Sequence, residues 1–150
     1  MKLAEALLLR ADLKKKLASL RERIGRNALL QEGETPKEKV EDLLAEAYSA
    51  LQEQQSLVRR INAANESAKL PDGRLLADVL ALRDTLIAQH SLLISTIGAT
   101  NKDVDRYSQR EIKWVPQIQV ASLQKQADDL SRNIREVNVA VQAANWQIDI

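Results

Sequence analysis

From Leu123 to Ile148 the residues Leu123, Ala127, Leu130, Ile134, Val137, Val141, Ala144 and Ile148 fall alternately four and three apart. That spacing returns to the same side of an α-helix every two turns, so it writes a narrow apolar seam along a helix of about 121–147. Most of the stability of such a helix comes from packing its seam, so the segment is committed to lie against a partner helix. Three further segments carry related patterns. Leu3, Ala6, Leu9, Leu13, Leu17, Leu20 and Ile24 mark a helix of about 2–26. Val40, Leu44, Ala47, Leu51, Gln54, Val58, Ile61 and Asn65 mark one of about 36–66. Thr35 as cap, Pro36 at the first helical position and Glu38 closing a capping box place its start.

The remaining segment, about 76–99, is apolar over more than one stripe, with Leu76, Val79, Leu80, Leu82, Leu86, Ile87, Leu93, Ile94 and Ile97. A helix of that kind is expected to touch neighbours on more than one side, hence to be central. Between it and the second helix, Pro71-Asp72-Gly73 forms a turn flanked by Lys69-Leu70 and Arg74-Leu75, which can pair as a very small hairpin. The expectation is a single all-α domain over 1–150: four long helices in an antiparallel bundle or coiled-coil arrangement. The absence of Phe and a total of four aromatic residues fit an aliphatic, helix-packed core.

One stretch breaks the helical period. In "REIKWVPQIQVASL", Ile112, Trp114, Ile118 and Val120 alternate with Lys113, Gln117 and Gln119, which predicts a short strand at about 111–120. A lone strand needs a pairing partner. The candidates are the hairpin around Lys69–Leu76, the same strand of a second copy, or another protein. Ile112, Trp114, Ile118 and Val120, with Trp146, are therefore the residues expected at an oligomer interface.

Chemistry is harder to find. The chain has no Cys and one His, so thiolate chemistry and multi-histidine metal sites are excluded. His90 has Ile87 and Leu93 three residues away where a helical di-metal site needs Glu, so no metal or cofactor is expected. Arg83 and His90 share one helix face, which reads as surface or interhelical hydrogen bonding ahead of a general-base role. The four glycines are isolated and the serines lack a strand-turn-helix elbow, so no enzyme is expected.

Charge points to pairing within the fold. Residues 1–26 hold eight Lys or Arg against three acids, and residues 32–66 hold eight acids against four bases. Two such helices attract. The alternative is a nucleic-acid contact through Lys14, Lys15, Lys16, Arg21 and Arg23, limited to phosphates because these helices lack base-stacking aromatics. Arg59, Asn62 and Asn65 on the second helix echo Arg135, Asn138 and Asn145 on the fourth, a candidate polar layer that would set register or line a ligand pocket. "MKLAEALLLRADLKKK" is broken by Glu5, Arg10 and Asp12 and has no small-residue cleavage site, so a cytoplasmic location is expected.

The blocks "MKLAEALLLRADLKKKLASLRERI", "NALLQEGE", "RINAAN", "RYSQREIKWV", "SLQKQADDL" and "NWQIDI" resemble a bacterial family labelled septicolysin-like, of unknown function. The resemblance spans essentially the whole chain and implies a small bacterial protein; the label itself implies a membrane-active cytolysin. Read from the residues, the leading expectation is a structural or interaction protein that forms homo-oligomers.

Overall fold

The computed structural model describes residues 1–101 and 113–150. It contains four helices: α1 (Leu3–Ala28), α2 (Val40–Ser67), α3 (Leu76–Gly98) and α4 (Val120–Gln147). They fall into two compact units, one of residues 1–76 with 142–150 and one of residues 77–141.

In the first unit α1 and α2 pack as an antiparallel pair, because Lys16 meets Glu46 and Arg23 meets Glu38. Burial repeats every seven residues: Ala6, Leu13 and Leu20 on α1, and Leu43, Ala50, Leu57 and Ala64 on α2. This is the repeat that keeps one seam turned towards a partner helix over many turns. Leu3, Leu20, Ile61 and Leu76 are the largest fully buried side chains of this unit. α1 opens with the Lys2 backbone N–H donating to the Glu5 carboxylate (2.7 Å), and Glu5 also places negative charge at the positive end of the helix.

α2 begins at Val40, four residues later than the capping signal at Thr35-Pro36 predicts. The reason lies at the end of α1. The Asn27 side-chain carbonyl accepts from the backbone N–H groups of Lys37 and Glu38, at 3.1 and 3.3 Å. The Glu38 carboxylate is taken by Arg23, so it cannot reach back to complete a capping box. Asn27 also donates to the Arg23 carbonyl one turn earlier (2.9 Å). One side chain thus ties the last turn of α1 to the entry of α2.

The link from α2 to α3 is the small hairpin. Gly73 N–H donates to Leu70 O and Leu70 N–H to Arg74 O, both at 2.9 Å, with Lys69 and Leu75 bridged antiparallel. Gly73 has φ +88°, the left-handed conformation that closes a three-residue hairpin loop. Leu70 and Leu76, on either side, are buried. A second antiparallel bridge joins Lys2 to Asp149, with Leu3 N–H on Ile148 O and Ile150 N–H on Met1 O. The Lys2 ammonium bonds Asp149 (2.8 Å) and the Gln147 carbonyl (3.1 Å) across it.

In the second unit residues 96–100, at and just beyond the end of α3, lie by 114–118, and His90 lies by Ser131 of α4. Position numbers rise on one side as they fall on the other, so α3 and α4 run antiparallel. The expected strand does not form over its described part. Lys113–Gln119 is irregular, bends at Gln117–Ile118, and enters α4 at Val120. Pro116 has no N–H to give a ladder. The Gln119 carbonyl already takes the Ser122 and Leu123 N–H groups as the first helical bonds. The nearest extended candidate in sequence terms, Lys69–Leu75, is spent on its own hairpin. Residues 111 and 112 of that expectation, Ile112 among them, lie outside the described residues.

Candidate functional site

On α3 a row of buried and half-buried residues, Leu76, Val79, Arg83, Leu86, His90, Leu93 and Ile97, follows a strict three-four alternation. Of the further apolar residues expected to touch another neighbour, Leu82, Ile87 and Ile94 are exposed; so is Leu92, with 69% of its surface free, and the four point in different directions around the helix. From Thr85 to Asn101 the sequence has no Asp, Glu, Lys or Arg over seventeen residues. The exposed part of α3 from Thr85 onward is therefore uncharged, mixing Ile87, Leu92 and Ile94 with Gln89, Ser91 and Ser95, in a chain where 29% of residues are charged.

Two threonine hydroxyls of this segment are taken up within the helix, while Gln89, Ser91 and Ser95 are exposed. Thr85 Oγ1 donates to the Ala81 carbonyl (3.1 Å) and Thr96 Oγ1 to the Leu92 carbonyl (2.8 Å). Such back-bonds satisfy the hydroxyls within the helix and leave little hydrogen-bonding capacity to lose on burial. Along this segment, Leu92 and Leu93 of α3 with Leu130 of α4 form an open groove of about 450 Å³, rimmed by Gln126 and Asp129. A second hollow, of about 310 Å³, lies between Thr96, Ala99 and Thr100 and the segment Trp114–Ile118.

The structure brings His90 Nε2 to 3.0 Å from Ser131 Oγ, both half-buried. Sequence spacing identified His90 as an interhelical hydrogen-bonding residue but could not find Ser131, which is 41 positions away on another helix. A hydroxyl and an imidazole at this distance are the parts of a nucleophile and its base. Ser131 sits inside α4, however, where the flanking N–H groups are engaged in helical bonds and cannot converge on an oxyanion. What the pair does in this position is join α3 to α4. Arg83, on the same face of α3, bonds Asp84 at 3.1 Å. Among the described residues no cluster of three or more His, Asp or Glu side chains could hold a metal ion.

Of the basic residues of α1, Lys16 pairs with Glu46 (2.9 Å) and Arg23 with Glu38, both across to the acidic helix. Lys15 leans on Asp12 at 3.6 Å, within its own helix. Lys14 and Arg21 point to solvent with no ion pair among the described residues. The bidentate bond from Arg23 holds the Glu38 carboxyl below its ordinary range, against a smaller opposing effect of desolvation, and the bond to Glu38 raises the Arg23 guanidinium.

The Arg and Asn residues expected as a polar layer differ in burial. Arg59, Asn62, Arg135 and Asn138 are exposed, Asn65 is half-buried, and Asn145 is buried at 5% exposure. Asn62 follows the seam residue Ile61, and Asn138 follows Val137. One residue is about 100° of helix, enough to turn the side chain from the seam to the surface. Trp114 keeps 75% of its surface exposed, Val120 and Trp146 are exposed, and Ile118 is half-buried.

No helix among the described residues is long and apolar enough to cross a membrane. No curated protein matches the chain. A solved structure described as a functionally unknown conserved protein from Corynebacterium diphtheriae matches with TM-score 0.90 and 33% sequence identity, over 98% of this chain and 96% of that one. A family model described as a family of unknown function, DUF6847, matches residues 10–150. With its four seamed helices and a relative so similar in sequence and fold, the chain belongs to the family of unknown function DUF6847.

Proposed function

We propose that this is a non-enzymatic, cytoplasmic helical protein whose role is structural or adaptor-like and which acts as a homo-oligomer. One observation carries the reading: outside the row it turns inward, α3 leaves Leu82, Ile87, Leu92 and Ile94 exposed at several points around the helix, the last three within a stretch that has no Asp, Glu, Lys or Arg. A helix apolar on all sides is normally buried, and large exposed apolar patches on soluble chains mark sites of association. Trp114, Val120 and Trp146 add exposed apolar surface of the same kind. The test is solution mass by light scattering for the wild type and for Leu92→Glu. The wild type is expected at a multiple of 16.8 kDa and the variant at or near the monomer. A wild-type monomer refutes the reading.

Two other readings have less support. Nucleic-acid binding through Lys14, Lys15, Lys16, Arg21 and Arg23 loses Lys16 and Arg23 to ion pairs with α2, leaving a weak phosphate-binding face. A membrane-active role, implied by the septicolysin-like label, calls for basic residues flanking an apolar face. α3 has only Arg83, held by Asp84. Salt-sensitive RNA retention or dye release from vesicles would favour these readings instead.

A further inference from the structure

We infer that the side of the α1–α2 pair turned away from its ion pairs is a docking surface for an acidic amphipathic helix of another protein. The seam defines the two sides. Its repeating positions are Ala6, Leu13 and Leu20 on α1, and Leu43, Ala50 and Leu57 on α2. Three residues past a seam position is about 60° of turn one way, and one residue past is about 100° the other way. Lys16 and Glu46, paired at 2.9 Å, are both three past, and so is Arg23, which holds Glu38. Glu53 is three past as well, and Asp42 is one before, so the acids of α2 gather on the ion-paired side.

The other side is composed differently. There α1 presents Leu7, Arg10, Lys14, Leu17, Arg21 and Ile24, one and four past its seam. Beside them α2 presents Leu44, Tyr48, Leu51, Gln55, Val58 and Asn62, one and five past its own. Neither row holds an acid. The ion pairs of α1 take Lys15, Lys16, Arg23 and Arg26, while Arg10, Lys14 and Arg21 have none among the described residues. Tyr48 and Leu51 are exposed, and Leu17, Leu44 and Val58 are half-buried. Cations thus alternate with apolar residues over about 25 Å, the length of a helix of about 17 residues. A wholly apolar partner would bury unpaired cations at a cost, and a phosphate chain would leave the leucines and Tyr48 wet. A helix with a row of leucines between rows of glutamates satisfies both, as a third helix joins a coiled coil. One chain carries the whole surface, so this does not depend on self-association.

The probe is a fluorescent synthetic peptide of about 18 residues, with leucines three and four apart and glutamates beside them, titrated with the full chain at low salt and read by anisotropy. A twin peptide carries lysine for glutamate. The glutamate peptide is expected to bind and the lysine peptide not. Lys14→Glu is expected to weaken binding about tenfold, and Leu51→Ser several-fold. Lys15→Glu makes the same change of net charge on the outer side of α1 and is expected to leave binding unchanged. All three positions are exposed, and circular dichroism checks that the variants fold. Equal losses for Lys14→Glu and Lys15→Glu would reduce the effect to net charge and overturn the inference. So would a glutamate peptide that fails to bind at about 100 μM protein. Homopolymer RNA that binds more tightly, indifferent to Leu51→Ser, would assign the surface to phosphate instead. A wild-type oligomer that Lys14→Glu splits would give it to a second copy, which also overturns the proposed partner and leaves self-association standing.

Discussion

Replacing Leu20 by Ala tests where the structure puts the core of the first unit. Leu20 is 1% exposed, on the α1 seam, seven residues from Leu13. Truncating a buried Leu removes its transfer energy and leaves a cavity, about 2–5 kcal/mol together. For a chain of this size about 1 kcal/mol moves the melting temperature by roughly 2–4 °C, so the loss is roughly 4–20 °C. Leu8, on the same helix, is 60% exposed. Leu8→Ala changes the same atoms on the same helix, so propensity effects cancel in the comparison. It is expected to shift stability by less than about 0.5 kcal/mol, as surface substitutions do. The assay is thermal and urea unfolding followed by circular dichroism at 222 nm, a probe wavelength on the order of the usual helix band. Equal losses for the two variants would mean that the seven-residue burial pattern does not describe the packing of α1 on α2.

Other substitutions follow from the same geometry. Gly73→Ala is expected to cost about 1 kcal/mol, because φ is +88° and the added methyl meets no neighbour, so the loss is backbone strain alone; an unchanged midpoint would contradict the hairpin. Trp114→Ala is expected to leave the melting temperature nearly unchanged, since 75% of the side chain is already exposed and no cavity opens; a drop as large as that of Leu20→Ala would show that Trp114 is buried in solution. Acid should weaken the fold. The carboxyls of Glu38, Asp72 and Asp149 are held low chiefly by side-chain bonds from Arg23, Arg74 and Lys2. Their contribution is fully present above the unfolded-state carboxylate range near about 4 and is lost as pH falls through the lower folded values. Melting curves taken between neutral pH and pH about 3 should therefore decline at the acid end, less steeply in Glu38→Gln, and parallel declines would remove Glu38 from the account.

Much of the helical architecture is legible in the residues because a seam writes itself into the sequence every three or four positions. The stripe from Leu123 to Ile148 corresponds to α4 almost residue for residue, and Pro71-Asp72-Gly73 marks the hairpin. The misreadings arise where local pattern competes with distant partners. Thr35 and Pro36 form a sound capping signal, yet Asn27, ten residues before Lys37, occupies the amides and delays α2. Alternation around Trp114 looks like a strand, but alternation without a ladder partner does not make one. The Arg and Asn echo between α2 and α4 is visible as letters. Which side of a seam each letter falls on depends on a single step of about 100°. The exposed side of α3 was legible as excess apolar residues, while the sequence alone gave no way to tell a central helix from an uncovered one.

The most direct test of the proposed self-association is the mass of the wild-type chain by light scattering over a dilution series, at low and at high salt. An uncharged apolar interface predicts twice 16.8 kDa at the higher concentrations, with the midpoint of dissociation unmoved or strengthened by salt. A mass of 16.8 kDa throughout, or a dimer that salt dissolves, would contradict it.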